Sequence, residues 1–147
     1  MSIVGGFDIH RKQITFDYVD TVTGQVSRGQ VTSADRRQLA AWLERFAEVD
    51  EVAFAVEACT GWRYVVDELR RAGVVAHLAE PADTAAARGR KKHAKTDRRD
   101  ARLIRELLEQ DRLPHCYIPP GEVLEYRALL ELYHDLWASP RNVETSL

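Results

Sequence analysis

Long hydrophobic runs are absent from this sequence. No apolar stretch in its 147 residues approaches the ~20 that a membrane-spanning helix requires, so we expect no membrane partner. Residues 1–6 lack the basic and apolar regions of a secretory signal peptide. Cysteine is also scarce, and Cys59 and Cys116 lack the paired spacing of a zinc site. Two idle thiols are typical of a reducing compartment, so the sequence predicts a cytoplasmic protein.

Positive charge is outweighed overall but concentrated in one segment. The net charge of the chain is −2, yet between Arg88 and Arg105 nine Lys or Arg residues stand against two Asp. Such a block can bind the phosphates of nucleic acid, with an affinity that falls steeply as salt rises. It can also be an ordinary solvated helix face, and charge alone leaves both interpretations open. Hydrophobic residues make up 45% of the chain, enough for one domain to bury a core.

Hydrophobic periodicity predicts a mixed α/β fold. Residues 2–9, 12–19 and 25–31 alternate at period two with short turns between them, which indicates an antiparallel meander. The next elements are a helix over 35–49 capped by Ser33 or Asp35, a strand over 52–57, a helix over 62–72 and a strand over 74–78. This is the element order of an RNase H-like (RuvC-like) domain. The predicted fold class is therefore α/β, with a five-stranded mixed sheet and flanking helices.

The sequence changes character after Glu80. Residues 81–95 are rich in Ala, Arg and Lys, and we expect them to form a partly helical, mobile segment. Helices are predicted over 97–110 and 122–137, because apolar residues recur there at helical spacing. Residues 113–121 contain several Pro and are predicted as a connector between the two helices.

Four carboxylates occupy positions that ordinary folding explains poorly. Asp8 stands near the end of an apolar strand, and Glu57 ends the most hydrophobic strand, where a carboxylate needs a partner or a cation. Asp97 and Asp100 are three residues apart on one helix and therefore project from one face. Four carboxylates balance the charge of two Mg²⁺ (or Mn²⁺) ions, which prefer oxygen ligands. The set predicts catalytic, metal-ligating residues for phosphodiester chemistry.

Each of these carboxylates also has an ordinary explanation. Asp97 can cap its helix and Asp100 can be an acid of the first turn, which helix starts favour. Asp8 can close a turn by accepting backbone N–H bonds, and Glu57 can pair with Arg63. The combination favours the metal site, because acids at two strand ends and on one helix accompany basic residues suited to nucleic acid.

Four motifs in the chain resemble those of the DEDD transposases, insertion-sequence recombinases related to the DNA invertase Piv. The motifs are Gly6-Phe7-Asp8-Ile9-His10-Arg11-Lys12, Val56-Glu57-Ala58-Cys59-Thr60-Gly61-Trp62, His77-Leu78-Ala79-Glu80-Pro81 and Lys95-Thr96-Asp97-Arg98-Arg99-Asp100-Ala101-Arg102. The resemblance extends from the start of the chain to about Asp135, and the last motif is its most specific part. The four acidic residues of the family correspond to the four carboxylates described above.

The resemblance implies a RuvC-like metal-binding domain, a helical connector and a further domain with a catalytic serine, which together recombine DNA. In many members a structured RNA from the element's own end guides the reaction, so DNA and a guide RNA are the expected partners. We assign residues 1–112 to the RuvC-like DEDD domain. Residues 113–147 are then the connector, the start of a coiled-coil-like segment, with an atypical tail that we expect to be truncated before the serine domain.

The expected function is that of the catalytic-metal domain of a DNA transposase, which acts on phosphodiester bonds but does not recombine DNA alone. The alternative is a non-catalytic fragment that binds nucleic acid or interferes with the full transposase. The last helix is expected to pair with a second copy of the chain through its apolar residues, giving a dimer. The residues expected to bind nucleic acid are Arg88, Arg90, Lys91, Lys92, His93, Lys95, Arg98 and Arg99.

Overall fold

Alternating apolar residues build the strands of a mixed α/β fold in the computed structural model of the protein. The structure describes residues 2–81, 97–118 and 120–137, without the side chains of residues 97–99, 121, 122 and 124. Its strands are β1 (Ser2–Ile9), β2 (Gln13–Asp20), β3 (Val26–Thr32), β4 (Glu51–Glu57), β5 (Val75–Ala79) and β6 (His115–Cys116). The α-helices in this part of the chain are α1 (Arg36–Leu43), α2 (Trp62–Arg71), α3 (Asp97–Glu109) and α4 (Gly121–Trp137).

The strands of the described residues form one sheet in the order β3-β2-β1-β4-β5-β6. β1, β2 and β3 pair antiparallel, as the predicted meander requires, whereas β4 is parallel to β1 and β5 is parallel to β4. The crossovers before β4 and β5 contain α1 and α2, since parallel neighbours cannot be joined by a tight hairpin. Along the chain, the first five strands and the two helices between them follow the element order that the sequence predicts for an RNase H-like domain.

The predicted number of strands is wrong, because His115–Cys116 forms a sixth strand, β6, antiparallel to β5. It lies within residues 113–121, which the sequence predicts as a connector. Two residues are too few to display a period, and their pairing with β5 depends on residues distant in sequence. The first compact unit accordingly extends to Tyr117, and a second unit comprises Ile118–Leu147.

One face of the sheet carries an aromatic core that α1 covers. Phe7 stacks on Phe54 with ring centroids 4.5 Å apart, and Trp42 of α1 lies 4.6 Å from Phe16. Phe46, in the turn after α1, completes the cluster at 5.3 Å from Trp42. These rings bury a large apolar area, so the hydrophobic effect is the main force that holds α1 on this face.

The opposite face is covered by α3, which approaches the sheet most closely at a glycine. A Cβ atom added to Gly6 would lie 2.4 Å from the carbonyl oxygen of Ala101 and 2.8 Å from the backbone nitrogen of Arg105. Only glycine therefore lets the backbone of α3 come this close to β1. Ala55 of β4 packs with Ile104 of α3 in a buried cluster, so the helix lies over both β1 and β4.

Helix α1 begins at the predicted cap, but it ends earlier than the sequence predicts. Asp35 is the N-cap, and its carboxylate accepts a hydrogen bond of 2.8 Å from the backbone N–H of Gln38. The sequence predicts a helix as far as Val49, but α1 ends at Leu43 and continues as a 3-10 turn over Glu44–Phe46. Tightening of the last turn in this way is common at helix ends.

Helix α4 exposes apolar side chains along its whole length. No helix in the described part of the chain is long and apolar enough to span a membrane. A helix with this many exposed apolar residues is typical of a surface that another protein covers. The exposed apolar residues of α4 are Val123, Tyr126, Leu129, Leu130, Leu132, Tyr133, Leu136 and Trp137.

Candidate metal and nucleic-acid site

Glu57 is the last residue of β4, and Asp8 is the last residue but one of β1, the parallel neighbour of β4. In the parallel register Gly6 is level with Ala55, so Asp8 on β1 and Glu57 on β4 are level two residues later. Side chains two residues apart share a face of a strand, and α3 packs over both Gly6 and Ala55. The two carboxylates therefore lie on the same face of the sheet, the face that α3 covers.

Helix α3 carries the other two predicted carboxylates. Asp100 lies in its first two turns and is buried, with 5% of its surface exposed. Asp97 is the first residue of the helix, and its side chain lies outside the described residues. The described side chains contain no group of three or more His, Cys, Asp or Glu arranged to hold a metal. This finding does not cover the complete set of four predicted carboxylates, because the side chain of Asp97 lies outside the described residues.

The donor chemistry of the set fits a hard divalent cation. Asp8, Glu57 and Asp100 supply carboxylate oxygens only, which are the ligands that Mg²⁺ and Mn²⁺ take from proteins. A carboxylate as buried as Asp100 is stable only with compensating charge or hydrogen bonds. Cysteine and histidine ligands, which would favour zinc, are not part of the predicted set.

His10 contacts one member of the set. Its Nε2 atom lies 3.1 Å from Oδ2 of Asp8, with 40% of the His10 side chain and 16% of the Asp8 side chain exposed. The contact holds the Asp8 carboxylate at the solvent-facing end of β1. The imidazole ring can donate a hydrogen bond to this oxygen and so orient the carboxylate.

Strand β2 adds two buried polar side chains to the same face. Thr15 is the cross-strand partner of Asp8, and Asp17 is the partner of Gly6. Each is only 1% exposed. The Oγ1 atom of Thr15 has no hydrogen-bond partner within the described residues. Both residues escaped the sequence analysis, because polar residues alternating with Ile14, Phe16 and Tyr18 have the pattern of a solvent-facing side.

Arg105 binds Asp17 beneath α3. Its Nε atom donates to Oδ1 of Asp17 at 2.7 Å, and Nη1 donates to Oε2 of Glu109 at 2.9 Å. Burial acts against the charged guanidinium, but the hydrogen bonds to the two carboxylates outweigh it and raise the pKa of Arg105. Sequence reasoning counted Arg105 in a basic block that could be either a phosphate-binding or a solvated surface, and it did not single out this residue.

The predicted nucleic-acid-binding residues fall mostly outside the described part of the chain. Arg88, Arg90, Lys91, Lys92, His93 and Lys95 lie in the segment between residues 81 and 97. Arg98 and Arg99 belong to the first turn of α3, and their side chains lie outside the described residues.

The described residues that follow Glu57 in the sequence line an open groove of about 700 Å³, which includes Trp62 and Arg63.

The comparison with protein families identifies the class of protein. Residues 5–146 match a family of transposases. Because the match covers nearly the whole chain, the protein belongs to the IS110-type DEDD transposase family. Membership of a transposase family implies DNA as the substrate. The matched region passes Asp135, where the sequence resemblance was expected to end, and includes most of the residues that were interpreted as an atypical tail.

Among solved structures, the chain has a distant likeness to an integrase domain. The catalytic core domain of BIV integrase is similar, with 14% sequence identity over 90% of this chain and 97% of that one, at a TM-score of 0.35. No curated protein sequence matches the chain.

Proposed function

We propose that the first compact unit is the catalytic domain of a DNA transposase in which Asp8, Glu57, Asp97 and Asp100 hold two divalent ions, Mg²⁺ or Mn²⁺. The observation that carries this proposal is the arrangement of β1, β4 and α3. Two of the carboxylates end neighbouring parallel strands on the face that α3 covers, and α3 carries the other two.

The carboxylates, His10 and helix α3 would each have a separate role in this site. Carboxylates from two strand ends and one helix would position the ions against a phosphodiester of DNA. Ions bound in this way would supply positive charge to stabilise the oxygens that become negative in a phosphoryl transfer. His10 would orient the Asp8 carboxylate through the contact described above. The cover of α3 over the sheet would keep bulk water from the inner carboxylates, where electrostatic interactions are strongest.

The basic segment would bind the nucleic acid on which these ions act. Residues 88–95 lead directly into the first turn of α3, where Arg98 and Arg99 adjoin the acidic pair. Phosphates held there would lie close to the proposed ions. DNA is the substrate of this site, and a structured guide RNA from the element is the second proposed partner of the same positive charge.

Helix α4 would join two copies of the chain. Its exposed residues Leu129, Tyr133 and Leu136 recur at spacings of four and three, as along the seam of a coiled coil. A second copy fits this surface, because an identical helix offers the same spacing and apolar character.

The proposed metal site is tested by binding of Mn²⁺ to the purified protein, measured by calorimetry. Glu57→Gln and Asp100→Asn keep the side-chain size and remove one carboxylate each, and we expect both to weaken Mn²⁺ binding strongly. Asp67→Asn on α2 is the matched control, because Asp67 pairs with Arg36 on the other side of the fold. Equal binding by all four proteins would contradict the site.

A second candidate function is a non-catalytic domain that binds nucleic acid through the same basic segment. The charge of residues 88–105 favours it equally, because phosphate binding needs no metal. The two functions differ in a nicking assay on DNA from the end of the element. Cleavage that requires Mn²⁺ and is lost in Glu57→Gln supports the enzyme, whereas binding without cleavage by the wild-type chain supports the second function.

A further inference from the structure

We propose that Asp17 and Arg105 are positioning residues for the acidic site, an inference that rests on the metal site proposed above. Their buried ion pair fixes α3, with Asp97 and Asp100, over the strand ends that carry the other two carboxylates. Neither residue touches the ions or the DNA in this proposal. They act by setting where α3 lies on the sheet.

The ion pair joins elements that are far apart in sequence. Arg105 and Asp17 are 88 positions apart, and their side chains are 7% and 1% exposed. The bond runs from Nε of the guanidinium to Oδ1 of the carboxylate at 2.7 Å. It therefore connects α3 to β2 inside the protein, where a charge-assisted hydrogen bond is short and strong.

Both members of the pair are held in place by further partners. The second carboxylate oxygen of Asp17 accepts a hydrogen bond of 2.5 Å from Nε of Arg28 on β3. Nη1 of Arg105 donates to Glu109, one turn further along α3. Each oxygen of Asp17 thus has its own donor, which fixes the orientation of the carboxylate. The network therefore connects β3, β2 and α3.

Directional bonds are needed here because the neighbouring contact, between the α3 backbone and β1, has no interlocking side chains at Gly6. At Gly6 the backbone of α3 lies against β1 with no side chain between them. Apolar contacts, such as those that Ile104 makes in the buried cluster with Ala55, have no preferred direction. They therefore resist sliding or rotation of the helix only weakly. The bond from Arg105 to Asp17, the cross-strand partner of Gly6, supplies the missing constraint.

The constraint reaches the acidic pair through the helix itself. Arg105 follows Asp100 by five residues, which is about 7.5 Å along the axis of an α-helix. Rotation or translation of α3 would move both residues together. A shift of about 1 Å is enough to disturb a site whose ligands come from three elements.

Stability alone does not account for a buried ion pair at this point. Apolar residues of similar volume often stabilise a core as well as such a pair or better, whereas loss of one partner is strongly destabilising because it leaves a buried charge uncompensated. The best-documented role of buried polar groups is to fix one arrangement among several that are similar in energy. A helix that carries half of a metal site has such a requirement.

The test compares Asp17→Asn with Glu68→Gln in the full chain. Glu68 is a matched control, because it is 7% exposed and also bonds two arginines, Arg36 and Arg71, but joins α1 to α2. We expect both variants to melt at a lower temperature. Only Asp17→Asn should weaken Mn²⁺ binding, by about tenfold, as loss of a supporting contact to a metal site typically does. Hydrogen exchange of the α3 amides should accelerate in that variant alone.

A double variant separates the effect of the ion pair on the position of α3 from its effect on the stability of the protein. Asp17→Leu with Arg105→Met replaces the pair by apolar residues, while Arg28 and Glu109 retain access to water. We expect its melting temperature to recover and its Mn²⁺ affinity to remain about tenfold below that of the wild type. Recovery of affinity together with stability would overturn the positioning role.

Two further outcomes distinguish this inference from the metal site on which it rests. Wild-type Mn²⁺ binding that Asp17→Asn leaves unchanged would overturn the role of the pair and leave the site standing. No Mn²⁺ binding by the wild-type chain would overturn the site and the positioning role together.

Discussion

Gly6 and Asp17 are cross-strand partners, and α3 lies over both of them. Gly6 provides the space in which the helix backbone meets the sheet. Asp17 provides the carboxylate that Arg105 binds at 2.7 Å. One pair of neighbouring positions on β1 and β2 thus determines how close α3 can come and where it stops.

Substitution of Gly6 tests the close approach directly. In Gly6→Ala the new Cβ atom would meet backbone atoms of Ala101 and Arg105, which cannot move without moving α3. We expect the free energy of unfolding to fall by about 1–3 kcal/mol, as overpacking of a core typically costs. Denaturant titration measures the loss. Gly29→Ala is the control, because the atoms nearest to its Cβ would be those of the Phe16 ring, and it should leave hydrogen exchange in α3 unchanged.

Replacement of Thr15 should stabilise the protein. The Thr15 hydroxyl is buried without a partner among the described residues, and such a group costs about 1–3 kcal/mol. Thr15→Val keeps the shape and removes the hydroxyl, so we expect the free energy of unfolding to rise by about 1 kcal/mol. Thr21→Val should have no such benefit, because Oγ1 of Thr21 bonds the carbonyl of Ser2. A Thr15→Val protein less stable than the wild type would contradict the prediction.

His77 makes stability depend on pH. Burial, together with the adjacent His115, lowers the pKa of His77 below its ordinary value of 6.5. The unfolded chain then takes up this proton more readily than the folded one. The stabilising contribution is therefore complete above pH 6.5 and is lost as pH falls below it. In His77→Asn, the decline in melting temperature between about pH 7 and pH 5 should be shallower. Identical pH profiles would refute this assignment.

The basic segment should determine the salt dependence of nucleic-acid binding. Replacing the three basic residues at 90–92 with Ala should weaken binding to element-end DNA and reduce the slope of log K against log salt by up to about 3. Fluorescence anisotropy at several salt concentrations measures both quantities. A control triple variant of Arg37, Arg70 and Arg112 removes the same charge elsewhere. The same slope in both triple variants would assign residues 90–92 to solvent.

Pairing through α4 predicts a dimer whose mass depends on concentration. Leu129→Lys and Leu136→Lys place charge on the exposed apolar seam and should shift the protein to monomer, because apolar burial between helices is lost. Light scattering over a range of concentrations gives the mass. Glu131→Lys is the control, since it changes charge on α4 away from this seam. A wild-type chain that stays monomeric at every concentration would exclude the pairing.

The order of strands and helices along the chain was predictable, because apolar periodicity distinguishes the two kinds of element and records which side of each strand is buried. The burial of Phe7 and Phe54 follows from their position in alternating or continuous apolar runs. The same reasoning fails on the other face of β2, where Thr15 and Asp17 are as buried as the aromatic residues. Their cover, α3, lies some 80 residues later in the sequence, and no local pattern encodes that contact.

The candidate site was predictable only as a list of residues. Asp8 and Glu57 were conspicuous because a carboxylate is out of place in an apolar strand. Whether they share a face depends on the register of β1 and β4, which the pairing of Gly6 with Ala55 sets. Arg105 was not singled out, because charge density cannot distinguish a buried ion pair from a phosphate ligand or a solvated side chain.

The short strand β6 determines where this domain can be cut for expression. A fragment that stops at residue 112 would lose Leu113, which is 5% exposed in the cluster beneath α3. It would also leave the N–H and C=O groups at the end of β5 unpaired on an open sheet edge. Such an edge recruits strands from other molecules, so the fragment would be prone to aggregate. A fragment that ends at Tyr117 keeps this end of β5 paired with β6.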